Sequence, residues 1–166
     1  MRLARMFLAL AMALLVPAAV ALAVGPTSVT QSGGLHFVGT PDVTATKTST
    51  SAFLTATGEV AGAGTSATAT LAANADVTTG CINRGSKDQQ PSGLQRSTTT
   101  TSGTQTFKTR SGRGTFNVST QPITTSRTCP DDMTPVLVSV KFTDVTLTIT
   151  SGASKSLTAT FPDIDP

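Results

Sequence analysis

Threonine and apolar residues alternate along most of this chain, and the alternation constrains the fold more than any other feature. Every second residue from Val136 to Phe142 is apolar, and from Val145 to Ile149 apolar residues again alternate with threonine. Neighbouring side chains of a β-strand point to opposite faces, so this pattern is typical of strands with one buried and one wet face. A tract this rich in threonine and serine could also be disordered or mucin-like, but the regular alternation favours ordered β-structure.

Turn residues separate about eight or nine short segments of this kind, and none has helical periodicity. Ser111–Gly114 is typical of a hairpin turn, because glycine supplies the positive φ angles that such turns need. The apolar residues change parity at Thr143–Asp144, which predicts a bulge or bend there. Thr-x-Thr triplets recur without a fixed period, which disfavours a solenoid. The sequence therefore predicts a single antiparallel β-sandwich with immunoglobulin-like layering over residues 35–166, and leaves the strand order open.

Residues 1–23 have the three parts of a secretory signal peptide. Arg2 and Arg5 precede the apolar run Met6–Val16, and small residues follow it. The apolar run is shorter than the ~20 residues that span a bilayer. We therefore expect removal of residues 1–23 and secretion without a membrane anchor. The mature chain would begin with a flexible lead-in over residues 24–34.

The charge and the aromatic content of the mature chain bear on its partners. Loss of Arg2 and Arg5 lowers the formal net charge from +3 to +1, and the chain contains no Trp and no Tyr. Nucleic-acid binders usually combine a basic surface with aromatic rings on which bases stack, so we expect no nucleic-acid partner. Sugar faces are also usually met by aromatic rings, which disfavours carbohydrate binding without excluding it.

Cys81 and Cys129 are the two cysteines of the sequence. A pair of cysteines in an exported chain predicts one disulfide. Closing a loop of about 48 residues stabilises a fold by about 4 kcal/mol in the chain-entropy model. The alternative is a metal site, but two sulfurs and the distant His36 fall short of the usual zinc ligand set. We expect neither a metal nor an organic cofactor.

Periodicity disappears over residues 82–95, which we interpret as the longest irregular loop of the fold. Binding residues often lie on long loops held by a rigid scaffold, and Cys81 would anchor this loop at its base. Its candidate binding residues are Asn83, Arg84, Lys87, Asp88, Gln89 and Gln90. The alternative is a solvated loop without a role in binding. A second basic group, formed by Lys108, Arg110 and Arg113, fits a solvated hairpin edge.

The sequence offers no combination of residues that is typical of a catalytic site. His36 is the only histidine, and a catalytic role would require a nucleophile and an orienting acid close to it in the fold. Asp131 and Asp132 lack the pattern of a calcium loop, and we interpret them as part of a solvated turn. We therefore expect a protein that is not an enzyme. Ice binding would need a fixed threonine repeat, which the chain lacks.

Several short motifs of the chain resemble small secreted proteins of actinobacteria. They are Cys-Ile-Asn-Arg-Gly at 81–85 with Pro91, Gly93 and Gln95 downstream, the pair Cys129-Pro130, and the strand Leu137–Val140. The resemblance covers most of residues 38–160, and the chain departs from it at residues 86–90. That family has no established activity, so the resemblance implies export, a disulfide and a sandwich, and nothing catalytic.

These observations predict a secreted, non-enzymatic structural or binding module of the cell envelope or the extracellular space. Its partner would be an envelope polymer or another exported protein. The alternative function is that of a domain that binds carbohydrate or wall polymers.

Overall fold

The computed structural model describes residues 23–83 and 91–166, and these form an all-β fold. In chain order the strands are β1 Ser28–Gln31, β2 His36–Phe37, β3 Asp42–Lys47, β4 Ser51–Ala61, β5 Ser66–Asn83, β6 Ser92–Lys108, β7 Gly114–Ser119, β8 Ile123–Thr124, β9 Met133–Ser151 and β10 Lys155–Thr160. They assemble into two antiparallel sheets, which confirms the predicted sandwich.

The larger of the two sheets, called the large sheet below, has the strand order β1-β10-β9-β5-β6. Its first strand in the sequence pairs with its last, since Ser28 lies opposite Thr160. The longest strands are β5, β6 and β9, and β5 pairs along most of its length with β9 on one side and with β6 on the other. Two edges therefore bound this sheet, one formed by β1 and the other by β6.

The second sheet, called the small sheet, is built around β4. On one side, β3 pairs with the first part of β4 and β2 pairs with its end. On the other side, β7 and β8 pair with β4 one after the other. On each side of β4, two short strands thus lie one after the other. The small sheet covers only part of the large sheet.

The core lies between the two sheets and is formed by the apolar residues of the alternating pattern. Leu54 and Val60 project into it from the small sheet, and Leu71, Leu147 and Ile149 project into it from the large sheet. Each of these five side chains is fully buried. Burial of one such side chain contributes about 1.5–3 kcal/mol, so this layer is the main source of stability.

A bulge interrupts β9 at the position that the change of parity predicts. Asn74 lies opposite Thr143, whereas Ala72 lies opposite Thr146, so β9 has one extra residue there. Asp144 adopts a φ of 52°, and its Oδ2 accepts a hydrogen bond of 2.8 Å from Nδ2 of Asn74. The predicted bulge is confirmed, and it keeps the apolar residues on both sides of it facing the core.

The structure differs from the sequence-based expectation at the two most polar segments. Residues 24–34, expected to be a flexible lead-in, contain β1, whose four residues are all exposed. Residues 82–95, expected to be irregular, instead extend β5 to Asn83 and begin β6 at Ser92. In both places the strand has no buried face, so the alternation that predicts strands is missing.

Candidate functional site at the open edge of the large sheet

The predicted disulfide between Cys81 and Cys129 is confirmed, with a Cα–Cα distance of 5.9 Å. Cys81 lies near the end of β5, and Cys129 lies in the segment that leads from β8 to β9. The bond therefore holds this connecting segment against the end of the large sheet where β5 ends and β6 begins. It also restricts the unfolded chain, which is the main way in which a disulfide stabilises a fold.

Arg127 forms a second attachment between the same segment and the large sheet. Its Nη1 donates hydrogen bonds to the carbonyl oxygen of Thr79, at 3.4 Å, and to that of Gly93. Its Nε is buried and has no hydrogen-bond partner among the described residues. The guanidinium group is thus held close to β5 and β6, with one donor left unused.

An open groove of about 870 Å³ lies between β6 and the chain from residue 121 to residue 127, which includes β8 and the start of the connecting segment. Residues 95–102 form one wall, residues 121–124, 126 and 127 form the other, and Val77 and Thr79 of β5 also line the groove.

The first wall is rich in hydroxyl groups, and Arg127 contributes a positive charge from the second wall. Arg96 belongs to the first wall, but strand alternation places its side chain on the outer face of the large sheet, where Thr98 donates a hydrogen bond of 2.7 Å to Asp76. No acidic side chain is among the described residues that line the groove.

Gly103 explains why the groove closes at one end. A Cβ atom at this position would lie 1.8 Å from the carbonyl oxygen of Ser119, so only glycine allows the two backbones to approach this closely. Next to it, Gln121 N donates to Ser102 O at 3.0 Å, and Thr101 Oγ1 donates to Gln121 O at 2.7 Å. Beyond this contact the chain after Gln121 leaves β6, and the groove opens.

The half of β6 that lines the groove is exposed on both faces. All residues from Ser92 to Thr100 are exposed, whereas Thr101, Gly103 and Phe107 in the other half are buried. The strand keeps its pairing with β5 throughout, with one irregularity near Gly93. A regular strand with no covering layer is therefore presented to solvent at this edge.

The candidate binding loop predicted from the sequence is only partly described. Asn83 is the last residue of β5 and lies opposite Met133 of β9. The other five candidates lie outside the described residues: Arg84, Lys87, Asp88, Gln89 and Gln90. The same holds for the predicted signal peptide up to residue 22.

The remaining candidates are dispersed over the surface. His36 lies on β2, with its Nδ1 3.1 Å from the carbonyl oxygen of Gly34. Arg113 donates through Nε to Oε1 of Glu59 at 2.9 Å, at the hairpin that joins β6 to β7. Asp132 occupies a turn and has a φ of 66°.

Residues 23–83 and 91–166 contain no group of three or more His, Cys, Asp or Glu side chains that could hold a metal ion. The same part of the chain contains no helix long and apolar enough to cross a membrane.

Sequence reasoning missed Arg96 and Arg127 as groove residues, although one signal was available. From Gln95 to Gly103 the sequence QRSTTTTSG contains no apolar side chain between segments that alternate regularly. A strand without a buried face is typical of an uncovered sheet edge. The position of Arg127 depends on the fold and has no comparable signal.

The fold and the groove together define an antiparallel β-sandwich with one open, hydroxyl-rich edge. In comparisons with known proteins, no family model matches this chain, and no curated protein or solved structure is significantly similar to it.

Proposed function

We propose that the protein is a secreted, non-enzymatic binding module of the cell envelope or the extracellular space, with the groove beside β6 as its contact surface. The observation that carries this proposal is the exposed half of β6, from Ser92 to Thr100, which faces a second wall across the groove. Binding surfaces are concave and carry a small number of polar groups in fixed positions.

The attachment of the second wall supports this role. The disulfide to Cys81 and the hydrogen bonds of Arg127 fix the connecting segment at two nearby points. A groove that is already formed loses little conformational freedom when a ligand enters, which favours affinity. The disulfide also fits a protein that works in an oxidising compartment, as expected after export.

The chemistry of the lining supports recognition of a polar, anionic partner. Arg127 supplies a guanidinium group on the groove side, and Arg96 supplies one at the rim, on the outer face of the large sheet. The threonine and serine side chains supply hydroxyl groups that both donate and accept hydrogen bonds. An exported protein or a wall polymer with carboxylate or phosphate groups would complement this set.

A pull-down with the mature chain, residues 24–166, tests the proposal. The bait is incubated with separated fractions of the host envelope, namely peptidoglycan, anionic wall polymers, membranes and soluble exported proteins. We expect retention on one fraction, at least about tenfold weaker for Arg96→Ala, because a hydrogen bond to a charged group contributes about 1.5–3 kcal/mol.

Arg110→Ala is the matched control, because Arg110 is an exposed arginine beyond the opposite end of β6. It should bind as the wild type does, and both variants should keep the wild-type melting temperature. Absence of retention on every fraction, or equal loss in both variants, would contradict the proposal.

A further inference from the structure

The backbone of β6 presents a row of hydrogen-bonding groups along the outer edge of the large sheet. Gln121 N, on the outer side of β6, donates to Ser102 O. On the inner side, Thr109 N donates to Thr65 O, next to β5. Because the N–H and C=O groups of neighbouring residues in a strand point to opposite sides, the even-numbered residues of β6 direct theirs outward. No described strand pairs with β6 on that side.

The stretch of this edge from Leu94 to Thr100 has a defined start and end. Before it, Gly93 has a φ of 60°, and the pairing with β5 is irregular there. After it, Gln121 occupies the outer side of β6 beside Ser102. The stretch contains no proline and no lysine, which commonly protect sheet edges from pairing with other chains. At about 3.4 Å per residue it offers about 24 Å, the length of an ordinary strand.

We propose that two copies of this chain associate along this edge, with β6 of one copy antiparallel to β6 of the other, so that two large sheets join into one. The pairing that uses the whole stretch has its two-fold axis at Ser97, in the middle. It places Arg96 of each copy opposite Thr98 of the other, and Leu94 opposite Thr100. The even-numbered residues of the two strands then lie opposite one another and exchange their main-chain hydrogen bonds.

The outer face of the large sheet supplies unlike charges for this pairing. Arg96 has no ion-pair partner among the described residues, whereas Lys141, the other cation of this region, is paired with Asp163. Asp76 is exposed, lies beside Thr98 on β5, and accepts a hydrogen bond of 2.7 Å from its hydroxyl group.

In the joined sheet, Asp76 of the second copy lies one strand beyond the residue that Arg96 faces. Two strand spacings separate the Cα atoms of Arg96 and this Asp76 by about 10 Å, which extended arginine and aspartate side chains bridge. The two-fold axis forms the pair twice, once with each copy as donor. The surface is therefore complementary to itself, as a contact between identical copies requires.

Two properties besides charge favour a second copy over a free peptide. Pairing with β5 already holds β6 extended in both copies, so association orders little backbone, whereas a peptide loses conformational freedom when it binds. The inner faces match as well, because Ser97 meets Ser97 of the second copy and Gln95 meets Thr99. These are pairs of hydroxyl and amide groups, like the hydroxyl pair of Thr68 and Thr106 between β5 and β6.

The association has a consequence for the grooves. A two-fold axis between sheet edges is perpendicular to the sheet, so the inner faces of both copies, and with them both grooves, lie on the same side. A dimer would thus present two contact surfaces to one polymer, which strengthens binding without a new contact. The association itself does not depend on the proposed function.

Sedimentation velocity of residues 24–166, from about 10 µM to about 1 mM, tests the association, because an edge of this size forms a small interface and a weak dimer. Thr100→Pro removes an outward N–H and leaves the hydrogen bonds between β6 and β5 in place. Thr100→Ala is the matched control, since it removes the same hydroxyl and keeps the N–H. Thermal unfolding establishes that both variants are folded. We expect Thr100→Ala to dimerise as the wild type does and Thr100→Pro at least tenfold more weakly, since a symmetric pair loses two hydrogen bonds.

Two charge reversals test the register of the pairing. Arg96→Asp leaves only carboxylates at this contact, and Asp76→Arg leaves only guanidinium groups, so each variant alone should dimerise at least tenfold more weakly than the wild type. An equimolar mixture of the two should restore dimers, because each copy then meets the opposite charge. Arg110→Asp and Asp42→Arg are the control pair, with the same charge changes at exposed positions outside the edge. Alone and mixed, they should behave as the wild type does.

A wild type that stays monomeric at about 1 mM would overturn the inference. Equal dimerisation of Thr100→Pro and Thr100→Ala would do the same, as would a mixture of Arg96→Asp and Asp76→Arg that does not associate although the wild type does. A monomeric wild type that an envelope fraction retains would remove the dimer and leave the proposed function. A dimeric wild type that no fraction retains would remove the proposed function and leave the dimer.

Discussion

The two halves of β6 share one strand and one pairing partner, yet they differ in almost every other respect. In the half from Thr101 to Lys108, Thr101, Gly103 and Phe107 are buried beneath the small sheet, and the ring centroid of Phe107 lies 6.0 Å from that of Phe116. Between Ser92 and Thr100 every residue is exposed. Pairing with β5 is thus enough to keep an extended backbone, whereas stability depends on the layer that covers it. The covered half holds the fold together, and the uncovered half is the part of β6 that we propose for binding.

The largest loss of stability should come from a substitution in the covered half of β6. Phe107→Ala removes a buried ring and should lower the free energy of unfolding by about 3–5 kcal/mol. Thr99→Ala, in the uncovered half, should change it by less than about 0.5 kcal/mol. Urea denaturation of both variants measures the difference, and similar values for the two would contradict the division of β6.

Removal of the disulfide should have the second-largest effect on stability. The double variant Cys81→Ser/Cys129→Ser loses the constraint on a loop of 48 residues. Its free energy of unfolding should fall by about 2–4 kcal/mol. Because the same bond holds the second wall of the groove, binding should weaken as well. A variant that is destabilised but binds as the wild type does would show that the wall is held by other contacts.

Gly103→Ala tests the boundary between the two halves. The new Cβ atom would meet backbone atoms of Ser119 and Thr120, which cannot move as a flexible side chain can. We expect destabilisation of about 1–3 kcal/mol, as for other overpacked sites. Ser102→Ala is the adjacent control at an exposed position and should remain within about 0.5 kcal/mol of the wild type. Equal melting temperatures for the two would disprove the close approach.

The smallest effect should come from Lys141, on the outer face of the large sheet. Its Nζ lies 2.8 Å from Oδ2 of Asp163, and this hydrogen bond, together with the charge of Asp163, raises the pKa of Lys141 above 10.5. A raised pKa in the folded state means that the stabilisation is complete below the ordinary pKa and is lost as the pH rises through the folded value. Lys141→Met should therefore be slightly less stable at pH 7, and the difference should disappear in strong alkali.

Both side chains of this pair are about half exposed, so solvent screening keeps the effect small. Denaturation curves of the two proteins from neutral pH upward measure it. A difference that grows with pH would have the wrong sign and would refute the assignment.

The sequence predicts the fold well where one face of a strand is buried. The alternation from Val136 to Ile149 indicates the long strand β9, and its change of parity locates the bulge at Asp144. The two cysteines indicate the disulfide correctly. In each case a local pattern reports a physical constraint, either burial on one face or oxidation of paired thiols.

The candidate site could not be predicted in the same way. Residues 92–95 belong to β6, but their polar side chains give no periodic signal. The second wall of the groove depends on how the segment around Arg127 crosses the sheet, which is set by long-range contacts to Thr79 and Gly93. Strand order presents the same difficulty, since it depends on pairing between distant segments.

The pairing of β1 with β10 has a consequence for how the molecule is assembled over time. Ser28 and Thr160, which are in contact through their hydroxyl groups, are separated by 132 positions in the chain. A chain that emerges with its N-terminus first presents β1 long before β10 exists, so β1 has no native partner until nearly all of the chain has emerged. Closing so long a loop slows folding. At this edge, the strand that is synthesised first is among the last to form its native pairing.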